Sequence, residues 1–249
     1  MATLVACASP GADDDLGIDD PSGEGGKDDN GSSRRFTEVD ATHTNQTFRT
    51  YIERALDELA ASDREVARYT AQSIADGRVR IDELSDLTCA DFLHVINDLP
   101  DLHLKPSDYA SLKRRGNPTT AAISAELDGY MWSNRIYVAR GMSAQHVAAT
   151  LVHETNHVVN RSEVGYYDDL PTSAFIHEYR AFYVERTFDP DSYAGIDLVD
   201  YVITNYELDR SKIRPEILAH PLTPKLLPTP AAWQARDVSS DVPEPATCQ

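Results

Sequence analysis

The chain has 249 residues and carries 41 acidic against 23 basic side chains, which gives a formal net charge of −18. A protein that binds nucleic acid neutralises phosphates with clusters of Lys and Arg, and this chain lacks such clusters. The same charge opposes binding to an anionic membrane surface. The composition therefore predicts no nucleic-acid partner, and the length suits a single domain with flanking segments.

The N-terminal segment differs in composition from the rest of the chain. Residues 8–35 are rich in Asp, Gly and Ser and contain almost no large apolar side chains, so we expect a disordered acidic tether over residues 1–38. The run Leu4-Val-Ala-Cys7 resembles the lipobox of bacterial lipoproteins, in which the Cys is lipidated after cleavage. This resemblance implies a lipid anchor at Cys7 and an extracytoplasmic location, with a cytoplasmic location as the alternative. Because only six residues precede Cys7, either the start codon lies upstream or the resemblance is accidental.

We place the main domain at residues 39–228 and predict that its front part is helical. Thr47–Ala61 has apolar residues at helical spacing, which indicates an amphipathic helix. Ser62-Asp-Arg-Glu65 matches a capping box and predicts a second helix that stops at Gly77. Cys89–Leu99 suggests a third helix.

The C-terminal segment 229–249 is predicted to be a Pro-rich extended tail. Its Cys248 could pair with Cys89 in an oxidising compartment, although two cysteines do not establish a disulfide framework. The sequence contains no segment with the length and apolar character of a transmembrane helix.

Short strands are predicted in the middle of the chain. Ala121–Leu127 alternates apolar and polar residues, and Asp128-Gly129 is typical of a hairpin turn. Tyr130–Trp132 resumes the alternation, Ser133-Asn134 forms a second turn, and Arg135–Arg140 is another alternating strand. We therefore predict a small β-sheet, whose edge strand the sequence does not identify.

The run from His153 to His157, His-Glu-Thr-Asn-His, is the most informative motif of the chain. It lies in a helix that is predicted over 143–160 and capped by Ser143. Residues four apart project from one face of a helix, so the two imidazoles can bind one ion. Glu154 is rotated by about 100° from His153 and can reach a metal-bound water from the side, which suits a general base.

The alternative interpretation is that the motif is a chance match on a helix face exposed to solvent. The same helix has apolar residues at positions that favour burial in a core, namely Val147, Leu151, Val158 and Val159. Buried imidazole and carboxyl groups need partners, and a zinc ion would satisfy them. The sequence therefore favours a zinc site of the H-E-x-x-H type.

A further helix is predicted over Ser173–Glu185, with Thr172 or Ser173 as its cap. It carries Glu178, which is separated from His157 by twenty residues. The small residue Ala181 follows Glu178 by almost one helical turn.

These spacings distinguish between families of zinc peptidases. The metzincin pattern is absent, because Asn160 and Glu163 stand where that pattern has a Gly and a third His. The motif, followed at this distance by Glu and then a small residue, resembles the gluzincins, the thermolysin-like zinc peptidases. The resemblance covers the stretch from near Ala121 to near Arg186. It implies a small sheet followed by an active-site helix and a second helix with the Glu ligand.

The resemblance also implies a role for each matching residue. His153, His157 and Glu178 would bind Zn²⁺, with water in the open fourth position, and Glu154 would be the general base. An edge strand of the sheet would bind the peptide substrate by β-addition. The alternative third ligands are His177, Asp168 and Asp169.

Two supporting roles fall to other residues. The oxyanion of the reaction needs a hydrogen-bond donor. We assign this role to Tyr167, with Tyr166, Tyr179, Tyr183 and His177 as alternatives. Glu185 lies seven residues beyond Glu178 on the same helix face and could accept the free ring N–H of a zinc-bound His. The alternative is that Glu185 is solvated near the helix end.

Together these features predict an α+β, mainly helical fold and a zinc-dependent metallopeptidase that hydrolyses peptide or protein substrates with a metal-activated water. Two other functions stay open. One is a non-peptidase zinc hydrolase such as a deformylase, which the sequence around Cys89 and Cys248 disfavours because it lacks the Gly-Cys-Leu context. The other is a tethered binding or structural protein with a closed zinc site, in which His220 or His177 replaces water.

Overall fold

The computed structural model describes residues 46–98, 103–112, 123, 127–132, 134–159, 170–222 and 248. The predicted N-terminal tether with Cys7 lies outside these residues, as does the predicted tail apart from Cys248. The described chain is α+β and mainly helical, as predicted, with a three-stranded sheet. Among the described residues, no helix combines the length and the hydrophobicity that crossing a bilayer requires.

The described residues form eight α-helices and three strands. The helices are α1 Gln46–Ala61, α2 Glu65–Ala75, α3 Cys89–Asp98, α4 Tyr109–Leu112, α5 Ala144–Val159, α6 Leu170–Phe188, α7 Leu198–Asn205 and α8 Pro215–Ala219. The strands are β1 Arg80–Glu83, β2 Gly129–Trp132 and β3 Arg135–Val138. The helices predicted at Thr47 and Cys89 are confirmed as α1 and α3.

Helix α2 begins without the predicted capping box and ends as predicted. Its N-cap is Arg64, with no capping hydrogen bond from a side chain. The hydroxyl of Ser62 accepts instead from the backbone N–H of Arg64 at 3.2 Å, which closes a local turn before the helix. At the other end, Gly77 has a φ of +69° and Arg78 N–H donates to Ser73 O. This is a Schellman cap, which requires the left-handed conformation that glycine adopts readily.

The sheet has the strand order β1-β3-β2, so β3 is central. β1 runs parallel to β3, and β2 pairs with β3 as an antiparallel hairpin. The predicted hairpin from Tyr130 to Arg135 is therefore confirmed. β1 has only four residues, and the sequence analysis did not identify it.

Two predictions about the segment before β2 are wrong. Asp128-Gly129 is not a turn: Gly129 pairs with Val138, and Asp128 O accepts from Ala139 N–H at 3.0 Å. Within the predicted strand 121–127, Ile123 is helical and its carbonyl accepts from Leu127 N–H. The apolar residues at 123 and 127 are one helical turn apart, which suits a helix as well as a strand. The other positions of that segment lie outside the described residues.

The sheet separates two apolar cores. Side chains of a strand point alternately to opposite faces. Ile136 and Val138 of β3 belong to the core with α1, α2 and α5, and Tyr137 belongs to the core with α3. A third core packs α6 against α7 and α8 and includes Phe182 and Val202. Helix α5 packs against the sheet, α1 and α6. These three contacts fix its position in the fold.

The start of α5 is fixed by α1 and by its own cap. The Tyr51 hydroxyl on α1 donates to Ala139 O at 3.2 Å and accepts from Met142 N–H at 3.1 Å. The Ser143 hydroxyl accepts from His146 N–H at 3.2 Å, so the predicted cap is confirmed. These contacts anchor the segment that connects β3 to α5.

Helix α6 starts earlier than predicted. It begins at Leu170, so Thr172 and Ser173 lie within its first turn and neither is the N-cap. Pro171 is tolerated there because the first N–H groups of a helix have no partner within the helix. The Thr172 hydroxyl instead accepts from Arg214 N–H at 3.2 Å, which ties α6 to the segment before α8.

The cysteines considered as a pair in the sequence are joined by a disulfide. Cys89 at the start of α3 bonds to Cys248, across a sequence separation of 159 residues. The bond fixes the C-terminal end of the chain to the α3 side of the sheet. Linking positions this distant in sequence restricts the unfolded chain strongly.

Loss of the disulfide is expected to lower the free energy of unfolding by about 2–4 kcal/mol, because the unfolded chain gains conformational freedom. The measurement is urea unfolding of the protein and of the double variant Cys89→Ser, Cys248→Ser. Both proteins carry Cys7→Ser, so that no third thiol can exchange. Equal unfolding free energies would contradict the stabilising role of this bond.

Candidate metal centre

Helix α5 carries His153, Glu154 and His157 in the protein interior. Their exposed fractions are 2%, 2% and 3%. The two imidazole rings lie on neighbouring turns of the helix, with centroids 4.9 Å apart. The motif is therefore a buried feature and not a solvated helix face.

Helix α6 places Glu178 opposite the two His residues. Glu178 Oε2 lies 3.7 Å from His153 Nε2 and 3.6 Å from His157 Nε2. The three ligand atoms lie within 4.8 Å of one another. Bonds of about 2.0–2.2 Å to a tetrahedral zinc ion would set ligand atoms about 3.4 Å apart. The buried group of His153, His157 and Glu178 could therefore hold a metal ion after small side-chain adjustments.

Glu185, two turns beyond Glu178 on α6, orients the first imidazole. Its Oε2 lies 2.8 Å from His153 Nδ1, and both groups are buried. A carboxylate can only accept hydrogen bonds, so Nδ1 carries a proton, and in the neutral imidazole Nε2 is then the nitrogen with the lone pair. Phe182 packs edge-on against the same ring with centroids 4.5 Å apart. The partner predicted for a motif His is therefore present, and Nε2 is the nitrogen available to an ion.

The protonation states of the group match those that bind metals. Burial lowers the pKa of His157 to about 3, while the nearby Glu178 opposes this change. Burial raises the pKa of Glu178, but His157, His153 and a hydrogen bond from Tyr206 outweigh it and hold this pKa below its ordinary value. At neutral pH the group thus includes a neutral imidazole and an ionised carboxylate, as metal binding requires.

Glu154 lies against the first residue of β2. A Cβ atom built on Gly129 would lie 2.6 Å from Thr150 Cγ2 and 3.1 Å from Glu154 Oε1. A side chain at this position would therefore require the Thr150 methyl group to move and the Glu154 side chain to shift. Gly129 therefore allows the main chain of β2 to approach Glu154 closely. This contact explains why a glycine stands inside a strand, where the sequence alone favoured a turn.

Neither of the other candidate ligands among the described residues belongs to this group. His177 is buried beside Glu178 in the sequence but is not among the converging ligand atoms, and His220 is exposed at the end of α8. Tyr179 and Tyr183 stack on each other along α6 with centroids 6.4 Å apart. The remaining candidates lie outside the described residues: Tyr166, Tyr167, Asp168 and Asp169.

Two tyrosines that the sequence analysis did not single out contact the carboxyl groups of the site. The Tyr193 hydroxyl donates to Glu185 Oε1 at 3.2 Å. The Tyr206 hydroxyl donates to Glu178. No motif spacing relates these tyrosines to His153 or His157, because the packing of the chain beyond α6 brings them to the site.

A hydrogen bond joins the start of α5 to the residue before β2. His146 Nε2 lies 2.9 Å from Asp128 Oδ2, and both side chains are partly buried. This hydrogen bond raises the pKa of His146 above its ordinary value, although burial opposes the rise. The pair therefore links the start of α5 to the residue just before β2.

The contribution of this pair to stability is expected to depend on pH. Because the folded state raises the pKa of His146, the contribution is complete below the unfolded pKa of about 6.5 and is lost as the pH rises through the folded pKa. The unfolding free energies of the protein and of Asp128→Asn are measured at several pH values between about 5.5 and 9. The difference between them is expected to shrink as the pH rises. A difference that stays constant or grows with pH would contradict the ion pair.

Glu178→Ala is expected to weaken binding of divalent metal ions by more than about 100-fold, since a direct ligand matters more than the outer partners, whose loss costs about 10–100-fold. Affinity is measured by competition with a chromogenic chelator. Glu58→Ala, which removes an exposed carboxyl group from α1, is the matched control and should leave affinity unchanged. Unchanged metal affinity in Glu178→Ala would move the third ligand to another residue.

The described side chains thus converge on one buried point between α5 and α6. Two imidazole nitrogens and the carboxylate oxygen of Glu178 form the donor set, and the carboxyl group of Glu154 lies next to β2. Comparison of the chain with protein-family models, with curated proteins and with solved structures finds no match.

Proposed function

We propose that the protein is a zinc-dependent metallopeptidase of the gluzincin type. The observation that carries this proposal is the buried convergence of His153, His157 and Glu178 on one point, with Glu154 on the same helix. Two nitrogens and one oxygen suit zinc, which takes three protein ligands in catalytic sites and leaves one position open. When bound, zinc would polarise the scissile carbonyl and activate a water molecule.

Glu154 is the general base in this proposal. Its carboxylate takes a proton from the attacking water and returns it to the leaving amine nitrogen. The close approach of Gly129 limits the positions that the Glu154 side chain can adopt.

A peptide or protein is the proposed substrate class. β2 lies at one side of the described sheet, with β3 as its neighbour, and its first residue contacts Glu154. An extended peptide that pairs with an outer strand is held by main-chain hydrogen bonds, which do not depend on the peptide sequence. A peptide added along β2 would thus pass close to the proposed base.

An extracytoplasmic location is also part of the proposal. The Cys89–Cys248 disulfide supports it, because such bonds persist in oxidising compartments and are rare in the cytoplasm. The lipobox-like run before Cys7 supports the same location and a lipid anchor. A protease on a tether would act on proteins outside the cell membrane.

The burial of the group also favours a second candidate function. All three ligands are at most 3% exposed, and structural zinc sites are closed to water. In that case the ion would stabilise the crossing of α5 and α6, and the protein would serve as a tethered binding or structural protein. The two functions differ in whether Glu154 is needed for a reaction.

Glu154→Gln is expected to lower peptide cleavage by about 10²–10⁴-fold, because an amide cannot accept the proton, while zinc content stays at one equivalent. Cleavage is measured with an unbiased peptide library, and zinc by elemental analysis. Glu58→Gln, which removes one exposed negative charge from α1, is the control. A variant that cleaves at the native rate would exclude Glu154 as the base, and zinc bound by a native protein that cleaves no peptide would favour the structural function.

A further inference from the structure

The chain beyond α6 reaches the metal group through an aromatic cluster around Phe182. The rings of Tyr193, Tyr201 and Tyr206 pack edge-on against Phe182, with centroid distances of 5.4, 5.0 and 6.2 Å. Phe182 in turn packs against the imidazole ring of His153. We call the described chain after α6, residues 189–222 with α7 and α8, the C-terminal layer. The cluster connects this layer directly to one of the proposed ligands.

Two hydroxyl groups of this cluster hold the two carboxyl groups that α6 contributes. Tyr193 donates to Glu185 Oε1, and Glu185 Oε2 contacts His153 Nδ1. Tyr206 donates to Glu178. Both tyrosine side chains are buried. Each carboxyl group of α6 is thus supported by a phenol hydroxyl from the C-terminal layer.

The backbone of α7 is capped at both ends, which fixes Tyr206. Asp197 accepts from backbone N–H groups in the first turn of the helix. At the other end Glu207 has a φ of +48°, and Leu208 N–H donates to Ile203 O at 2.9 Å, as in a Schellman cap. A glutamate in the left-handed region is held there by the surrounding structure. Tyr206 directly precedes it and so has a defined backbone position.

We propose that Tyr206 and Tyr193 are positioning residues that set the metal affinity of the site. The inference rests on the proposed metal centre and not on peptidase activity. A carboxylate already held by a hydroxyl needs less reorganisation when an ion binds, and such outer partners typically change metal affinity by about 10–100-fold. Tyr206 acts on a direct ligand, whereas Tyr193 acts through Glu185 and His153. The effect of Tyr206 is therefore the larger of the two.

Tyr206→Phe removes the hydroxyl and keeps the ring. Zinc affinity, measured by competition with a fluorescent chelator, is expected to fall about tenfold. The visible absorption spectrum of Co²⁺ bound in place of zinc is expected to change, because the carboxylate turns relative to the ion. Tyr69→Phe is the control, since it removes a phenol hydroxyl from an exposed ring of α2, and it should preserve affinity and spectrum. A Tyr206→Phe variant with the zinc affinity and the Co²⁺ spectrum of the native protein would overturn the proposal.

Tyr193→Phe tests the second hydroxyl through a double-mutant cycle. The variant is expected to lower zinc affinity less than Tyr206→Phe does, and to have no effect when Glu185→Gln is present, because Tyr193 acts through Glu185. The effect of Tyr206→Phe should persist in the Glu185→Gln background. If Tyr193→Phe lowers zinc affinity as much in the Glu185→Gln background as in the native protein, Tyr193 does not act through Glu185.

Two further outcomes separate this inference from the proposed function. A native protein that binds neither zinc nor Co²⁺ would refute the metal centre and this inference with it. Loss of peptide cleavage in Tyr206→Phe at unchanged zinc affinity would overturn the positioning role and leave the metallopeptidase proposal in place.

Discussion

The hydrogen bond between His153 and Glu185 determines the chemistry at the centre of this protein. Because His153 Nδ1 donates to Glu185, its Nε2 faces Glu178, 3.7 Å away, and carries the lone pair in the neutral imidazole. His157 Nε2 lies 3.6 Å from the same Glu178 oxygen. The three atoms face one another in the protein interior, where low polarity strengthens electrostatic interactions. A cation between them would interact favourably with both ring nitrogens and with the carboxylate oxygen.

The packing of α5 and α6 supplies both this hydrogen bond and the atoms that it orients. Glu178, Phe182 and Glu185 are spaced by four and three residues, so they share one face of α6. That face provides a carboxyl group that could bind a metal ion, a ring against His153 and the acceptor that orients the imidazole. The opposite side of α5 rests on the sheet and α1. The geometry of the site is therefore set by helix packing on one side and by a strand on the other.

The sequence predicted those parts of the site that depend on regular local spacing. His153 and His157 share a helix face wherever that helix lies, and Glu178 was recognisable because it follows the motif on a second helix. Tyr193 and Tyr206 were not recognisable, because only tertiary packing brings them to the carboxyl groups. The mainly helical fold was also predicted, but three local features were misjudged, in the capping of α2, the start of α6 and the segment before β2. In each case a tertiary contact or a neighbouring polar group overrides the local propensity. The role of Tyr167 stays a prediction, since that residue lies outside the part of the chain described.

The glycine at the start of β2 has a consequence for how freely this protein can change during evolution. The surface that Gly129 presents to Glu154 is main chain. Main-chain groups are chemically the same whatever side chains the other residues of β2 carry. Met131, two residues on and facing the same way, packs into the core with α5, whereas Tyr130 and Trp132 face the core on the α3 side. Substitutions at 130 and 132 can therefore vary the far side of the sheet without altering what Glu154 meets. Tolerance to mutation along β2 should accordingly alternate from residue to residue and be lowest at Gly129.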